Sequence, residues 1–383
     1  METKKRLSLC MILYNEELFL ENCLNSVLQY VDEIVIVDTG STDRTKEICQ
    51  SFGAQIYDFP WNGSFAQARN YGIERATGEW ILYLDADEEL VVKDESLWNK
   101  MLQDDKHCIL GIPIINYYGD RHIDSNKAYL LAQYRLFRNG LGLRFENDIH
   151  EQLIIRKVLE DFTAAAVLPA VLHHYGYLDS VATARNKHER NMSMLTRARD
   201  ESDHNPWIDY HIASEYYRLK DYTKAFEQVN ISIQHFINQG QIPPSILYKL
   251  KYDSLLANGS FDQALAGIDK VIALYPDYVD MHFYKGVILF VKKRYAEAET
   301  VFQTCQGLGE SHLQHLTLKG TGSFQALYYI GRCREMIEDW NIAAQCYKGV
   351  LLQCPNHAEA LEGLERLAAV TGRFDPTPTK ESP

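Results

Sequence analysis

The sequence predicts an α/β, Rossmann-like domain with a mostly parallel sheet, followed by an all-α helical solenoid. Three observations predict this. Residues 7–87 alternate short apolar runs with amphipathic stretches, the C-terminal half repeats one pattern in register, and a charged segment separates the two.

The elements of the first part follow in order. LSLCMILY (7–14) is a buried-strand candidate, and Glu16 to Gln29 carries helical spacing through Leu18, Leu20, Leu24, Val27 and Leu28. EIVIVDT (33–39) is the second strand, followed by a helix from Thr42 to Phe52 that ends at Gly53; Ser41 or Thr42 would cap it. AQIYDF (54–59), closed by Pro60, is the third strand. Ser64 caps a third helix running to Ala76, which Gly78 terminates. EWILYLDAD (79–87) is the fourth strand. Strands and helices alternating at this spacing form βαβ units, whose ligands bind beyond the carboxyl ends of the strands. Asn15, Asp38, Asp85 and Asp87 all fall at those ends.

From about 105 to 178 the pattern turns β-rich, in CILGIPIINYYG, AYLLAQYRLF and TAAAVLPAVLHHYGY, as if further strands complete the sheet and wall a pocket. The charged, helical segment 183–203 then marks the boundary. The expected organisation is a first domain over 1–180, a helical connector over 181–205, repeats over 206–370 and a disordered tail over 371–383.

The repeats align as DYTKAFEQV (221–229), SFDQALAGI (260–268), RYAEAETVF (294–302) and DWNIAAQCY (339–347). Each has an aromatic residue (Tyr222, Phe261, Tyr295, Trp340) and an alanine three positions later (Ala225, Ala264, Ala298, Ala343). Phe261 and Tyr295 are 34 positions apart, the period of a tetratricopeptide (TPR) repeat. Ala213, Tyr252, Gly286 and Gly331 stand nine positions before each aromatic and fit the first helix of each pair. GQIPP and GESHLQHLTLKGTGS read as loop insertions between pairs, and a final helix over 356–370 caps the array.

Composition excludes some partners. A formal charge of -13 argues against nucleic acid, whose phosphates need a basic surface. The eight cysteines form no CxxC pair and read as a reduced, cytoplasmic chain. No run approaches the roughly 18–20 apolar residues that span a bilayer, so no transmembrane segment is expected.

Four motifs carry the chemistry: ILYNEE (12–17), IVDTGSTDRT (36–45), FAQARNYG (65–72) and LDADEE (84–89). Together, in this order, they resemble family 2 glycosyltransferases of the GT-A fold. The likeness is to the branch joined to TPR repeats, which includes bacterial sugar-core transferases and the sublancin-type cysteine S-glycosyltransferase. The resemblance implies a UDP-sugar donor held by Tyr14, Asn15, Glu16, Asp38, Arg69, Asn70, Asp85, Ala86 and His150. It implies a divalent cation, Mg²⁺ or Mn²⁺, on Asp87, with Asp85 turned more to the ribose. Asp85 and Asp87 stand on the end of the fourth strand, where residues two apart share a face, so both carboxylates are expected to converge on one spot.

IHEQL (149–153) and HHYGY (173–177) resemble two further motifs of this branch. Glu151 is the candidate catalytic base for inversion, with Asp87 as the catalytic metal carboxylate. His174 is the candidate third metal ligand or phosphate contact, and His173 is left structural. Either arginine of RLFR (135–138) could face phosphate or acceptor; Asp58 and Glu88 are given supporting or surface roles, and Arg185 and Asn186 none beyond the connector. Many family members have lysine where this chain has Tyr14, and a Glu-Asp base motif that is absent here after the aspartates.

The expected function is transfer of a sugar, with inversion, to an acceptor presented with help from the repeats. A peptide or protein side chain (Cys or Ser) and a saccharide or lipid-linked glycan are both open, since repeats also serve as homodimer contacts. A TPR scaffold with an inactive domain is the alternative of another class; the four intact acids, Asp38, Asp85, Asp87 and Glu151, weigh against it. A nucleotidyltransferase would need a basic glycine-rich loop where MILYNEEL stands.

Overall fold

The computed structural model describes residues 6–119, 124–155, 166–178, 187–200 and 204–372. The chain divides into two units. Residues 1–125 and 131–198 form the first, residues 126–130 and 199–383 the second. Residues 181–186 and 201–203 of the expected connector, including Arg185 and Asn186, lie outside the described residues, as does the tail from 373.

In the first unit the elements are β1 (Leu7–Leu13), α1 (Leu20–Val27), β2 (Glu33–Asp38), α2 (Thr45–Ser51), β3 (Gln55–Asp58), α3 (Phe65–Ile73), β4 (Trp80–Tyr83), β5 (Glu88–Val92) and α4 (Glu95–Gln103). They continue as β6 (Ile109–Gly119), β7 (Ala128–Arg138, of which 128–130 belong to the second unit), β8 (Arg144–Glu146), β9 (Gln152–Ile154), β10 (Ala166–Val167), β11 (Ala170–Leu178) and α5 (Lys187–Arg199). The sheet runs β3-β2-β1-β4-β7-β6-β11-β5. β3, β2, β1 and β4 are mutually parallel, as the βαβ alternation requires. β2 is buried at every position, which explains its unbroken apolar run.

Several boundaries differ from the sequence expectation, for one recurring reason. Polar residues expected at a strand end or at helix starts tie loops together instead. Asn15 adopts φ 54°, its N–H donates to Ser41 Oγ (3.0 Å) and its Oδ1 accepts from Thr42 N (2.8 Å). Glu16 N donates to Thr45 Oγ1 at 2.7 Å. These bonds lock loop 14–17 to loop 41–45, so α1 starts only at Leu20 and Leu18 stands 83% exposed. Ser41 and Thr42, held by Asn15, do not cap a helix; α2 starts at Thr45, whose N–H donates to Asp43 Oδ1. Ser64 does cap α3, accepting from Gln67 N, although the helix ends at Ile73 rather than Ala76.

The fourth strand also stops early. β4 ends at Tyr83, so Asp85 and Asp87 lie in a turn and not on a strand face. The chain then re-enters the sheet as β5, antiparallel to β11, with Glu88 opposite His174.

In the second unit the helices are α6 (Pro206–Arg218), α7 (Tyr222–Asn238), α8 (Ser245–Ala257), α9 (Phe261–Leu274), α10 (Val279–Val291), α11 (Tyr295–Leu308), α12 (Phe324–Met336), α13 (Trp340–Gln353) and α14 (Ala358–Thr371). Each repeat aromatic is the first residue of the second helix in its pair, and all four repeat alanines are fully buried. A side chain larger by a few methylenes there would overpack the hairpin at a cost of about 1–3 kcal/mol. Gly286 and Gly331 sit where an added Cβ would meet Phe302 at 2.6 Å and Tyr347 at 2.8 Å, so these helices approach closely only with glycine. The longer insertion contributes β12 (Thr317–Leu318), which pairs antiparallel with Tyr129 and Leu130 of the same unit. Among the described residues no helix is long and apolar enough to cross a membrane.

Candidate active site

The site is built on the loops after β1, β2 and β4, on α3, and on the ends of β6 and β11. Its centre is Arg69, 8% exposed on α3. Its Nε donates to Glu151 Oε1 at 2.6 Å and its Nη2 to Asp85 Oδ1 at 2.8 Å. Tyr83 and Phe145 flank the guanidinium, their ring centroids 5.3 and 5.5 Å away. Burial alone would raise the Asp85 carboxyl, but Arg69 and Arg135 outweigh it and hold Asp85 well below the usual range.

Glu151 reaches this position through a tightly turned loop. Asn147 (φ 75°) and His150 (φ 52°) both take the left-handed conformation, which these residue types tolerate better than most. Asp148 O accepts from Phe65 N at 2.9 Å, fixing the loop to the start of α3. Asn70 acts on the same loop. Its amide exchanges two hydrogen bonds with the Phe145 backbone, each 2.9 Å, and so positions β8.

Behind Asp85 lies a second ion pair. Glu88 is fully buried and its Oε1 accepts from Arg135 Nη2 at 2.5 Å, while its Oε2 accepts from Asp85 N at 3.0 Å. Burial pushes the Glu88 carboxyl up, against the pull of Arg135. Glu88 is thus a buried support and not a surface residue. Arg138 packs over Trp80 at 4.5 Å and donates to the Asp104 and His107 carbonyls and to Asp105. Arg135 Nη2 is thus engaged by Glu88, and Arg138 by the 104–107 segment. Asp58 pairs with Lys46 at the surface.

Asp87 is 6% exposed, and its Oδ1 lies 3.5 Å from His174 Nε2. Tyr175 N donates to Asp87 O at 3.0 Å, which joins the turn to β11. His174 Nδ1 meets Asn116 Oδ1 at 2.7 Å; an amide oxygen only accepts, so it fixes the proton on Nδ1 and turns Nε2 to Asp87. Burial opposes protonation of His174, yet Asp87, Glu88 and Asp85 together raise its pKa. The position between Asp87 and His174 therefore attracts positive charge. Gly176 leaves room there: an added Cβ would lie 2.6 Å from both Asp87 Oδ2 and His174 Nε2. A carboxylate and an imidazole oriented from behind fit a divalent cation. His173 stacks on Tyr117 and meets its hydroxyl at 2.7 Å.

At the end of β2, Asp38 is 1% exposed. Its Oδ2 accepts from Gly40 N (3.1 Å) and Ser41 N (3.0 Å) and pairs with Lys46 (3.3 Å). Asp38 Oδ1, Arg69 Nη1 and Arg135 Nε are buried without a hydrogen-bond partner. Orphaned polar atoms of this kind are rare in folded proteins. Tyr14 is 58% exposed at the rim and Ala86 is buried in the aspartate turn.

The structure thus brings Arg69, Asp85, Asp87, Glu151 and His174 into two adjoining clusters, and places Asn15, Glu16 and Asp38 in the two locked loops. Sequence reasoning missed Asn116 and the spatial need for Gly176. Asn116 had a readable signal, since it is the polar residue inside the apolar run ILGIPIIN.

Comparison with known proteins follows the same division. Residues 8–163 match the model of glycosyl transferase family 2, and residues 251–310 and 325–357 match tetratricopeptide repeat models. A TPR repeat-containing protein of Synechococcus elongatus is 30% identical over 282 residues, covering 72% of this chain and 67% of that one. The SPbeta prophage-derived glycosyltransferase SunS of Bacillus subtilis is 26% identical over 289 residues, covering 73% of this chain and 66% of that one. The match thus spans about two thirds of each relative's length. Among solved structures, S. aureus TarS 1-349 in complex with UDP-GlcNAc covers 67% of this chain and 92% of its own, at 17% identity and a TM-score of 0.39. With the family domain over the α/β unit and repeats over the helical one, the chain belongs to the family 2 glycosyltransferases that carry C-terminal tetratricopeptide repeats.

Proposed function

We propose that the protein transfers a sugar from a UDP-sugar, with inversion at the anomeric carbon and with a divalent cation, to a cysteine or serine side chain of a polypeptide. The observation that carries this reading is the pair of adjoining clusters: Asp87 beside an oriented His174, and Glu151 tied through Arg69 to Asp85.

Each residue has a task. The orphaned Asp38 Oδ1 accepts the imide N–H of the uracil, and Asp85 faces the ribose while Arg69 keeps it ionised. Asp87 and His174 would hold Mg²⁺ or Mn²⁺, which when bound neutralises the diphosphate leaving group. Glu151 takes the proton of the acceptor thiol or hydroxyl. The acceptor atom bonds to the anomeric carbon on the face opposite the breaking carbon–oxygen bond, and UDP departs with that electron pair. Arg69 binds Oε1 of Glu151, so Oε2 is the oxygen that receives the proton.

A polypeptide acceptor is favoured by the helical repeats, whose surfaces commonly bind peptide segments. The absence of any disulfide among the eight cysteines supports action in a reducing, cytoplasmic setting.

The test is donor turnover. Purified protein is incubated with a panel of UDP-sugars, with Mn²⁺ or chelator, and UDP release is followed; Asp87→Ala is the control. Metal-dependent release from one donor, lost in the variant, supports the reading and names the sugar. Release from none, together with no nucleotide binding by calorimetry, overturns it. Mass spectrometry of candidate Cys- or Ser-containing peptides after turnover then tests the acceptor.

A further inference from the structure

The second unit holds a group of metal-ligating side chains with no part in the chemistry above. His204, Asp209 and His235 bring one ligand atom each to within 4.8 Å of one another. His204 Nε2 lies 3.0 Å from Asp209 Oδ2, and His235 Nδ1 lies 3.4 Å from the same oxygen.

Local sequence builds this arrangement. Asn205 caps α6, accepting from Trp207 N, and Pro206 opens the helix with its φ already set. The cap directs the incoming chain so that His204 comes back over Asp209. α7 packs alongside, joined by Ser232 Oγ donating to Pro206 O at 2.8 Å, and presents His235 from its last turn.

Asp209 is the unusual member. It is 2% exposed at the edge of an apolar cluster of Ala213, Val229, Ile233 and Phe236. A buried carboxylate needs a positive partner. Among the described residues no lysine or arginine nitrogen approaches it within ion-pairing distance; two imidazole nitrogens face it instead.

We propose that His204, Asp209 and His235 bind a zinc ion that staples the entry of the chain to the first helical hairpin. Two imidazole nitrogens and one carboxylate oxygen suit zinc, with water as the fourth ligand. Bonds of about 2.0–2.2 Å to a tetrahedral ion put neighbouring donors roughly 3.3–3.5 Å apart, so the 3.4 Å pair already fits and the 3.0 Å pair has to open by only about 0.3 Å. The imidazole side chains are 20% and 24% exposed, which leaves the water a way in. Gln239 stands on the outer side of His235, its Nε2 3.3 Å from the ring Nε2. A flip of that amide would let its oxygen accept the Nε2 proton once Nδ1 holds the metal.

The experiment uses the full chain carrying Asp87→Ala, so that the nucleotide site does not contribute. Protein loaded with zinc is dialysed against a weak chelator and its metal content is measured by mass spectrometry. The expected result is one zinc per chain, lost in His204→Ala and His235→Ala and regained in His235→Cys. Zinc should raise the unfolding temperature of the Asp87→Ala chain and leave that of the histidine variants unmoved, while UDP release by His235→Ala in the otherwise native chain stays unchanged. No zinc retained by the Asp87→Ala chain, or equal retention after the histidines are removed, would overturn the site and leave a histidine–aspartate hydrogen-bond network.

Discussion

Arg69 Nε lies 2.6 Å from Glu151 Oε1, across 82 residues of sequence, and the same guanidinium holds Asp85 at 2.8 Å. One buried cation therefore links a carboxylate of the donor turn to the carboxylate assigned as base. A planar fork can bind two acids in fixed geometry, which an ammonium cannot do. The arginine sets the separation of the two acids, and with it, on the proposed reading, the distance between donor and base.

Arg69→Lys keeps the charge but cannot span both acids. We expect kcat/KM for UDP release to fall about 10²-fold, the cost of a misplacement near 1 Å. Arg69→Met removes the cation and should destabilise the first unit by about 3 kcal/mol, at the low end for buried pairs because the Asp85 side chain is 39% exposed. Urea unfolding and UDP release, measured on both variants, separate the two effects. Lysine activity equal to wild type would show that the fork is not needed.

Gly176 should be irreplaceable for reasons of space. Its backbone does not require a positive φ, yet a Cβ would come within 2.6 Å of both Asp87 Oδ2 and His174 Nε2. Gly176→Ala must push one of them aside. Metal-dependent turnover should drop at least about tenfold, while the overpacking costs only about 1–3 kcal/mol of stability. Unaltered Mn²⁺ dependence in this variant would count against a cation between Asp87 and His174.

Asn116 never needs to touch donor or cation to matter. Its Oδ1 meets His174 Nδ1 at 2.7 Å and orients the ring. Asn116→Ala should weaken Mn²⁺ binding by about 10–100-fold, the usual range for a residue behind a metal ligand. Calorimetric titration with Mn²⁺ and UDP checks this; Asn116→Asp, which keeps an acceptor, should restore most of the affinity.

How far the sequence reveals this molecule depends on the range of the interaction. The βαβ order and the repeat pairs follow from local periodicity, so the 34-residue spacing of Phe261 and Tyr295 is readable as a repeat. Helix starts near the site are not. Asn15, Ser41 and Thr42 have ordinary helix-cap chemistry, but here they bond to one another across 26–27 residues. The aspartate turn is a similar case: the apolar run WILYL predicts a strand continuing to Asp87, while Glu88 pulls the chain into a buried pair with Arg135 after Tyr83. The pairing of β5 with β11, which sets His174 beside the turn, is a tertiary fact with no local signature.

The capping helix should show an acid-sensitive attachment. Glu335 on α12 accepts from Arg366 on α14 at 2.9 and 3.2 Å and from Tyr347, and its side chain is 14% exposed. Burial would raise its pKa, but Arg366, Tyr347 and Arg332 lower it below the ordinary 4.5. A depressed acid stabilises the fold above its unfolded pKa and loses that contribution as pH falls through the folded value. Glu335→Gln should therefore cost about 2 kcal/mol at neutral pH, with the gap to wild type closing below pH 4.5. Denaturation midpoints across that range test it; a gap constant with pH would place the loss in packing instead.

The strongest single dependence in the repeats should be on Asp280. It is fully buried on α10, where its Oδ2 accepts from Lys249 Nζ at 2.6 Å, and it also binds Leu318 N (3.0 Å) and Thr321 Oγ1 (2.9 Å) of the long insertion. Lys249 is 3% exposed and leans on Tyr284, so it cannot escape to solvent when its partner is removed. Asp280→Ala leaves a buried ammonium with Asp253 at 3.8 Å as its remaining carboxylate and also frees the insertion, and should cost about 3–5 kcal/mol. Replacing both partners, as Asp280→Leu with Lys249→Met, should cost less than Asp280→Ala, because no charge is then stranded. Urea unfolding of the single and double variants decides the matter: a double variant no more stable than the single one would show that the carboxylate's bonds to the insertion, and not the ion pair, hold these helices together.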